Sequence, residues 1–197
     1  MKFLFDLGGI FFNWDPVHFY KDIFSSKEEM NYFLNKICND DWNLQQDSGR
    51  TIKEAESELI SYHPKYKEEI KMYYLNHRKM IKNTYKESIE ALLELKSKNY
   101  FCYVLSNWSA ETFLGMIDEY PFLKKFDDLI ISGEVKLIKP DHRIFHLAIS
   151  KFKLIPEETV FIDDRKENIE SALKLNFKTI HLTNPNLIKE EIYKFLY

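Results

Sequence analysis

Five short apolar runs, spaced along the chain and alternating with helix-patterned segments, constrain this sequence more than any other feature. They are Lys2 to Phe5, Tyr100 to Leu105, Asp128 to Ile131, Val160 to Ile162 and Thr179 to Leu182. Each is short enough to be a buried strand, and continuous apolar character marks strands covered on both faces. Ile144, Phe145, Ala148, Ile149 and Phe152 recur at helical spacing between two of the runs, as do Ile169, Ala172 and Leu173. Ile89, Leu92 and Leu93 mark a helix leading into the second run, with Asn99 as a left-handed C-terminal cap. Strands alternating with helices predict an α/β fold, a Rossmann-like doubly wound parallel sheet.

The segment between the first and second runs reads differently. From Pro16 to Lys86 it is rich in Lys, Glu, Tyr, Phe and Leu and has no convincing strand pattern. It is read as a small helical cap, residues 16–86, inserted into a core formed by 1–15 and 87–197. Within it, Thr51 and Glu54 have capping-box spacing after Gly49, so a helix is predicted to start near Ile52.

Composition narrows the function classes. A net charge of −3 supplies no basic footprint for nucleic acid. Nowhere does an uncharged apolar stretch approach the roughly 18 to 20 residues of a membrane span. Asp6 interrupts the apolar N-terminus and no small-residue cleavage site follows it, so a cytoplasmic protein without a membrane or nucleic-acid partner is expected, as a monomer or weak homodimer. Cys38 and Cys102 lack the close pairing of metal or redox motifs and read as reduced structural thiols. His142 and His146 are four apart on a predicted helix but have no third ligand beside them.

Parallel sheets of this kind bind ligands beyond the C-terminal ends of their strands. The loops there read Asp6-Leu7-Gly8-Gly9, Ser106-Asn107-Trp108-Ser109, Ser132-Gly133 with Lys139 beyond, and Asp163-Asp164. Three acids, a hydroxyl, an amide and a lysine thus collect at one edge. Ser109 and Glu111 suggest a helix start, whose amides together with the Ser106 hydroxyl could hold a phosphate oxygen.

The segments FDLGGIFFNWDP, VLSNWSAETF, ISGEVKLIKPDHRIF and VFIDDRKENIESAL, in that order, resemble the four motifs of the haloacid dehalogenase-like hydrolases. The resemblance implies that Asp6 is a nucleophile forming an aspartyl-phosphate. It implies that Lys139 of the KPD sequence, with Lys136 as its nearby competitor, stabilises the nucleophile and the phosphate. Ser106 and Asn107 would hold the phosphate. Mg2+ would be bound by Asp6, the Gly8 carbonyl and Asp163 or Asp164, the sequence leaving open which of the two binds directly. Asn168, where relatives often carry a further acid, is assigned a supporting role. Trp14, Trp42, Gln45 and Arg50 are candidate specificity contacts from the cap.

One departure from the pattern matters. Phosphatases of this family usually carry a second aspartate two residues after the nucleophile, where it protonates the leaving oxygen, and here that position is Gly8. Dehalogenating relatives also lack that aspartate, because a halide leaves without a proton. The paired Asp163 and Asp164 favour metal-dependent phosphate chemistry, since acids gathered beside Asp6 repel one another without a cation. The leading expectation is a Mg2+-dependent phosphatase for a small phosphate ester, and the DLGG and SNW forms resemble a branch containing proposed sugar-phosphate phosphatases. The alternatives are a 2-haloacid dehalogenase and a non-catalytic regulator that binds phosphorylated ligands. With Gly8 in place of the acid, proton donation must come from solvent or from another side chain.

Overall fold

Alternation of side chains along the first strand sets the layering of the molecule. The computed structural model describes residues 1–196. Strand β1 (Lys2–Phe5) sends Phe3 and Phe5 to one face of a sheet and Leu4 to the other, and all three are fully buried. After β2 (Phe12–Trp14) and β3 (Ile81–Thr84), the strands β4 (Phe101–Ser106), β5 (Asp128–Ile131), β6 (Thr159–Asp163) and β7 (Lys178–His181) complete the set. The main sheet is five-stranded in the order β5-β4-β1-β6-β7, and every pairing in it is parallel. This is the α/β Rossmann-like architecture the strand pattern predicts.

Each face of the sheet has its own core. Phe3, Phe5, Val104 and Ile162 pack with Leu92, Phe126, Ile188 and Ile192 on one side. Leu4, Leu105 and Phe161 pack with Ile144, Phe145, Ala148 and Ala172 on the other, the last four coming from the helices His142–Phe152 and Lys166–Lys174. The helix Lys86–Ser97 ends where Asn99 adopts φ 62°, with the Tyr100 N–H donating to the Leu95 carbonyl at 3.0 Å.

Between Trp14 and Ile81 the chain forms a helical layer around Tyr20, Phe33, Trp42, Ile70 and Tyr73. Its helices include Lys27–Tyr32, Asp40–Asp47, Ile52–Tyr62 and Lys67–Leu75. Thr51 and Glu54 make the full capping box at the start of the third. The segment is not strand-free as expected: β3 lies within it and pairs antiparallel with β2, Phe12 opposite Thr84 and Trp14 opposite Ile81. Nearly seventy residues separate the two strands in sequence, so no turn signature announces the pairing.

This helical layer is pinned to the sheet domain by specific bonds. The Arg78 guanidinium donates to the Glu119 carboxylate at 2.8 Å and to the Thr112 and Leu114 carbonyls. The Ile52 N–H donates to Glu111 Oε1 at 2.8 Å, and the Ser132 hydroxyl to the Asp47 carbonyl at 2.6 Å. No helix among the described residues is long and apolar enough to cross a membrane. Cys38 and Cys102 are buried and unbridged, and burial pushes both thiols up, Cys102 to about 12. His142 and His146 are exposed on their helix.

Candidate active site

Asp6 follows the last residue of β1, the central strand, and its backbone N–H continues the ladder by donating to the Ile162 carbonyl at 2.9 Å. The neighbouring strands end in Ser106 and Asp163, so three strand ends present polar side chains together. Asp6 Oδ1 accepts from the Ser106 hydroxyl at 2.7 Å and from the Leu7 N–H at 2.7 Å, while Oδ2 lies 3.1 Å from Lys139 Nζ. Lys139 is almost wholly buried and also donates to Asp163 Oδ2 at 2.6 Å. Burial lowers the proton affinity of its ammonium, but the charges of Asp163 and Asp6 override that and hold it above its ordinary value.

Asp163 is itself held from the far side. Asn168 Nδ2 reaches both of its oxygens, at 3.0 and 3.1 Å, and the Arg165 N–H donates to Oδ1 at 2.8 Å. Burial raises the carboxyl groups of Asp163 and Asp164, with Lys139 opposing in both cases. Asp163 is fully buried, whereas Asp164 reaches the pocket. Asp6, Asp163 and Asp164 each offer one carboxylate oxygen, and these oxygens lie within 4.8 Å of one another.

Gly9 explains the second glycine of the first motif. Its φ is +68°, and a Cβ there would run into the Asp164 carboxylate. Gly8 has no such need: a Cβ at that position would meet nothing within 4 Å. The space an acid could occupy is open.

Ser106 and Asn107, expected to hold phosphate, are engaged with the protein. The Ser106 hydroxyl is spent on Asp6, and the Asn107 amide bonds the backbone of Lys139 on both sides, at 2.9 and 2.8 Å. The helix that follows, Ala110–Phe113, is a single turn with no side-chain cap from Ser109. Asn107 still lines the pocket. Lys136 takes no part: it sits at φ 56° with its side chain against Gly49.

A cavity of about 270 Å³ opens over these groups. Asp6, Gly8, Asn107, Trp108, Asp164 and Arg165 form its sheet side; Asp40, Asn43, Leu44, Asp47 and His77 come from the helical layer, with Trp14 at the junction. Of the four residues proposed as specificity contacts, the wall contains Trp14 alone. Trp42 packs against Tyr73 and Tyr74 at ring separations of 5.3 Å, inside the helical layer's own core. Gln45 and Arg50 bond each other at 2.8 Å, and Arg50 pairs with Glu58, away from the cavity. A helix has one face per turn, and the face of Asp40–Asp47 that meets the pocket carries Asp40, Asn43, Leu44 and Asp47. That stripe, three polar residues and Leu44 at i, i+3, i+4 and i+7, was available in the sequence as a signal. His77 and Arg165 left no periodic trace.

Residues 4–182 match the family of haloacid dehalogenase-like hydrolases. The chain belongs to that family. Its HAD fold is shared with a predicted HAD-like family hydrolase from Porphyromonas gingivalis, at TM-score 0.76 and 24% identity over 99% of this chain and 97% of that one. A HAD family enzyme from Bacteroides thetaiotaomicron, solved in complex with magnesium and inorganic phosphate, superposes at TM-score 0.69 with 26% identity, covering 91% and 92% of the two chains. The (S)-2-haloacid dehalogenase 4A of Burkholderia cepacia is 25% identical over 123 residues, 57% of this chain and 53% of that protein. The chain spans about half or less of the length of the curated relatives it matches.

Proposed function

We propose that this HAD hydrolase is a phosphatase acting on a small phosphorylated metabolite, with Asp6 as nucleophile and Mg2+ as its metal. The observation that carries the reading is the cluster of Asp6, Asp163 and Asp164 around one point beneath the cavity. Of the three carboxylates, Asp6 and Asp163 pair with a single buried ammonium, Lys139. An all-oxygen donor set with no Cys or His suits a small hard cation. When bound, Mg2+ would neutralise the repulsion between the Asp6 carboxylate and a phosphate dianion. The magnesium and phosphate held by the Bacteroides enzyme support the same assignment.

The chain's own groups have definable tasks. Lys139 stabilises charge on Asp6 and on the phosphate oxygens that approach it. Ser106 orients Asp6 through Oδ1, and Asn107 orients Lys139 through its backbone. Asn168 and the Arg165 N–H hold Asp163 for the metal. The cavity, at about 270 Å³, suits a ligand of sugar-phosphate size. Trp14 and Trp108 each flank His77 at 5.7 Å between ring centroids, an apolar and polar wall of the kind a sugar ring contacts.

A second reading, 2-haloacid dehalogenation, is favoured by Gly8 and by the likeness to the Burkholderia dehalogenase. It needs the Asp6 nucleophile but no metal. One assay separates the two: turnover of a panel of phosphate esters with Mg2+, beside 2-haloacids with and without chelator. Phosphate release that requires Mg2+ and is lost in Asp6→Asn supports the phosphatase; halide release in metal-free protein supports the dehalogenase.

A further inference from the structure

An alkyl phosphate leaves poorly unless its oxygen is protonated, and the loop after β1 provides no acid for this, since Gly8 stands open to the pocket. The proton then comes from solvent or from another group in the cavity wall. Asp6 and Asp164 are committed to the nucleophile and the metal, and Arg165 is a permanent cation. Asp40 is largely solvent-exposed and is paired with Arg165 at 3.9 Å. His77 is kept neutral by burial and the Arg78 charge, down to about 3, so it has no proton to give near neutral pH. Asp47 remains.

Asp47 is the last residue of the helix Asp40–Asp47, on its pocket-facing stripe. Its Oδ2 accepts from Asn43 Nδ2 at 3.3 Å. Its carbonyl accepts the Ser132 hydroxyl at 2.6 Å, and that same hydroxyl accepts the Trp108 N–H at 2.9 Å. One serine thus ties the end of the cap helix to the loop that carries Ser106 and Asn107. The end of this helix is thereby tied to the loop beside Asp6, and Asp47 and Asp6 line the same cavity.

We propose that Asp47 is the general acid and base of this enzyme, supplied by the cap in place of the missing acid at Gly8. The proposal rests on the phosphatase reading. In the first step the Asp6 oxygen bonds to phosphorus and the bond to the leaving oxygen breaks. Its electron pair stays on that oxygen, which takes the Asp47 proton and departs as the alcohol. In the second step the Asp47 carboxylate takes a proton from water, whose oxygen bonds to phosphorus as the bond to Asp6 breaks. Inorganic phosphate leaves, Asp6 is a carboxylate again and Asp47 is again protonated.

The surroundings suit both roles. Burial pushes the Asp47 carboxyl up to about 7, the Ser109 N–H opposing, Asp6 adding to the rise, Arg165 opposing and Asp40 adding. The nearby phenols of Tyr73 and Tyr74, on the helix Lys67–Leu75, are kept neutral by burial. A carboxyl that changes state near neutrality can give and take a proton in one cycle.

The test is kcat/KM across a leaving-group series from 4-nitrophenyl to simple alkyl phosphates, with Mg2+. The wild type is expected to give a shallow series. Asp47→Asn should lower alkyl phosphate turnover about 100- to 10,000-fold and 4-nitrophenyl phosphate only a few-fold, steepening the series. Gly8→Asp in the Asp47→Asn background should recover alkyl phosphate turnover, because the space at Gly8 accepts a side chain. A steep wild-type series, or equal losses on every ester in Asp47→Asn, would overturn the assignment while leaving the phosphatase intact. A wild type that hydrolyses no phosphate ester at all would instead remove the phosphatase reading beneath it.

Discussion

Asn107 grips the backbone of Lys139 from both sides, its Nδ2 donating to the Lys139 carbonyl at 2.9 Å and its Oδ1 accepting the Lys139 N–H at 2.8 Å. The side chain after β4 therefore fixes the height at which the Lys139 ammonium reaches Asp6 and Asp163. Asn107→Ala removes both bonds, worth about 1 kcal/mol each, and frees the lysine. The expected outcome is a fall in kcat of about tenfold or more with a smaller change in KM, since misplacement of a stabilising charge acts mainly on the transition state. Steady-state kinetics on the best phosphate substrate checks this; a change in KM alone would place Asn107 on the substrate instead.

Gly9 gives a second prediction. Because a Cβ at φ +68° would overlap the Asp164 carboxylate, Gly9→Ala should displace Asp164 and weaken metal binding. Calorimetric titration with Mg2+ should show lower affinity in the variant, and more Mg2+ should be needed for half-maximal activity. Equal affinity would mean that Asp164 contributes little to the metal site.

Much of this molecule was legible before its fold was known, and the parts that were not share a physical cause. Strands such as β5 and β6 are covered on both faces, so their apolar runs stand out. Thr51 with Glu54, and Asn99, announce helix ends through local chemistry. Asp6, Asp163 and Asp164 stand at strand ends that the sheet order brings together, while Lys139 lies beyond the turn after β5 and was legible through its KPD sequence. The β2 and β3 pairing was hidden because it is non-local. Trp42 was misplaced because an aromatic residue suits a pocket wall and a core equally well, and only packing against Tyr73 and Tyr74 decides. The roles of Ser106 and Asn107 depend on partners 100 and 32 residues away, which no local pattern encodes.

Trp42 now carries an unambiguous expectation. Its ring fills the centre of the helical layer, so Trp42→Ala should destabilise the protein by about 3–5 kcal/mol. Substrate ranking should be unchanged in whatever fraction remains folded. Denaturant melts with a substrate panel check both, and altered ranking without loss of stability would put the ring in the pocket.

His77 makes stability depend on pH with a definite sign. Its pKa falls from 6.5 to about 3 on folding, chiefly because it is buried. Between these values the unfolded chain binds a proton that the folded one refuses. The contribution is therefore present above 6.5 and is lost as pH falls towards about 3. His77→Gln should flatten the fall in stability across that window, read from denaturant midpoints at pH 7, 5 and 4. A curve of unchanged steepness would show that His77 accepts a proton in the fold.

The central claim is that the Asp6 carboxylate attacks phosphorus, and the mass of the Asp6 peptide, taken after acid quench during turnover in 18O water, tests it most directly. The account predicts a peptide heavier by one phosphoryl group with a phosphate ester and Mg2+, and no 18O in the Asp6 carboxylate, because water attacks phosphorus in the second step. A peptide without phosphoryl group, carrying 18O in Asp6 after turnover of a 2-haloacid, would contradict it, since water would then have attacked the carboxyl carbon of an ester.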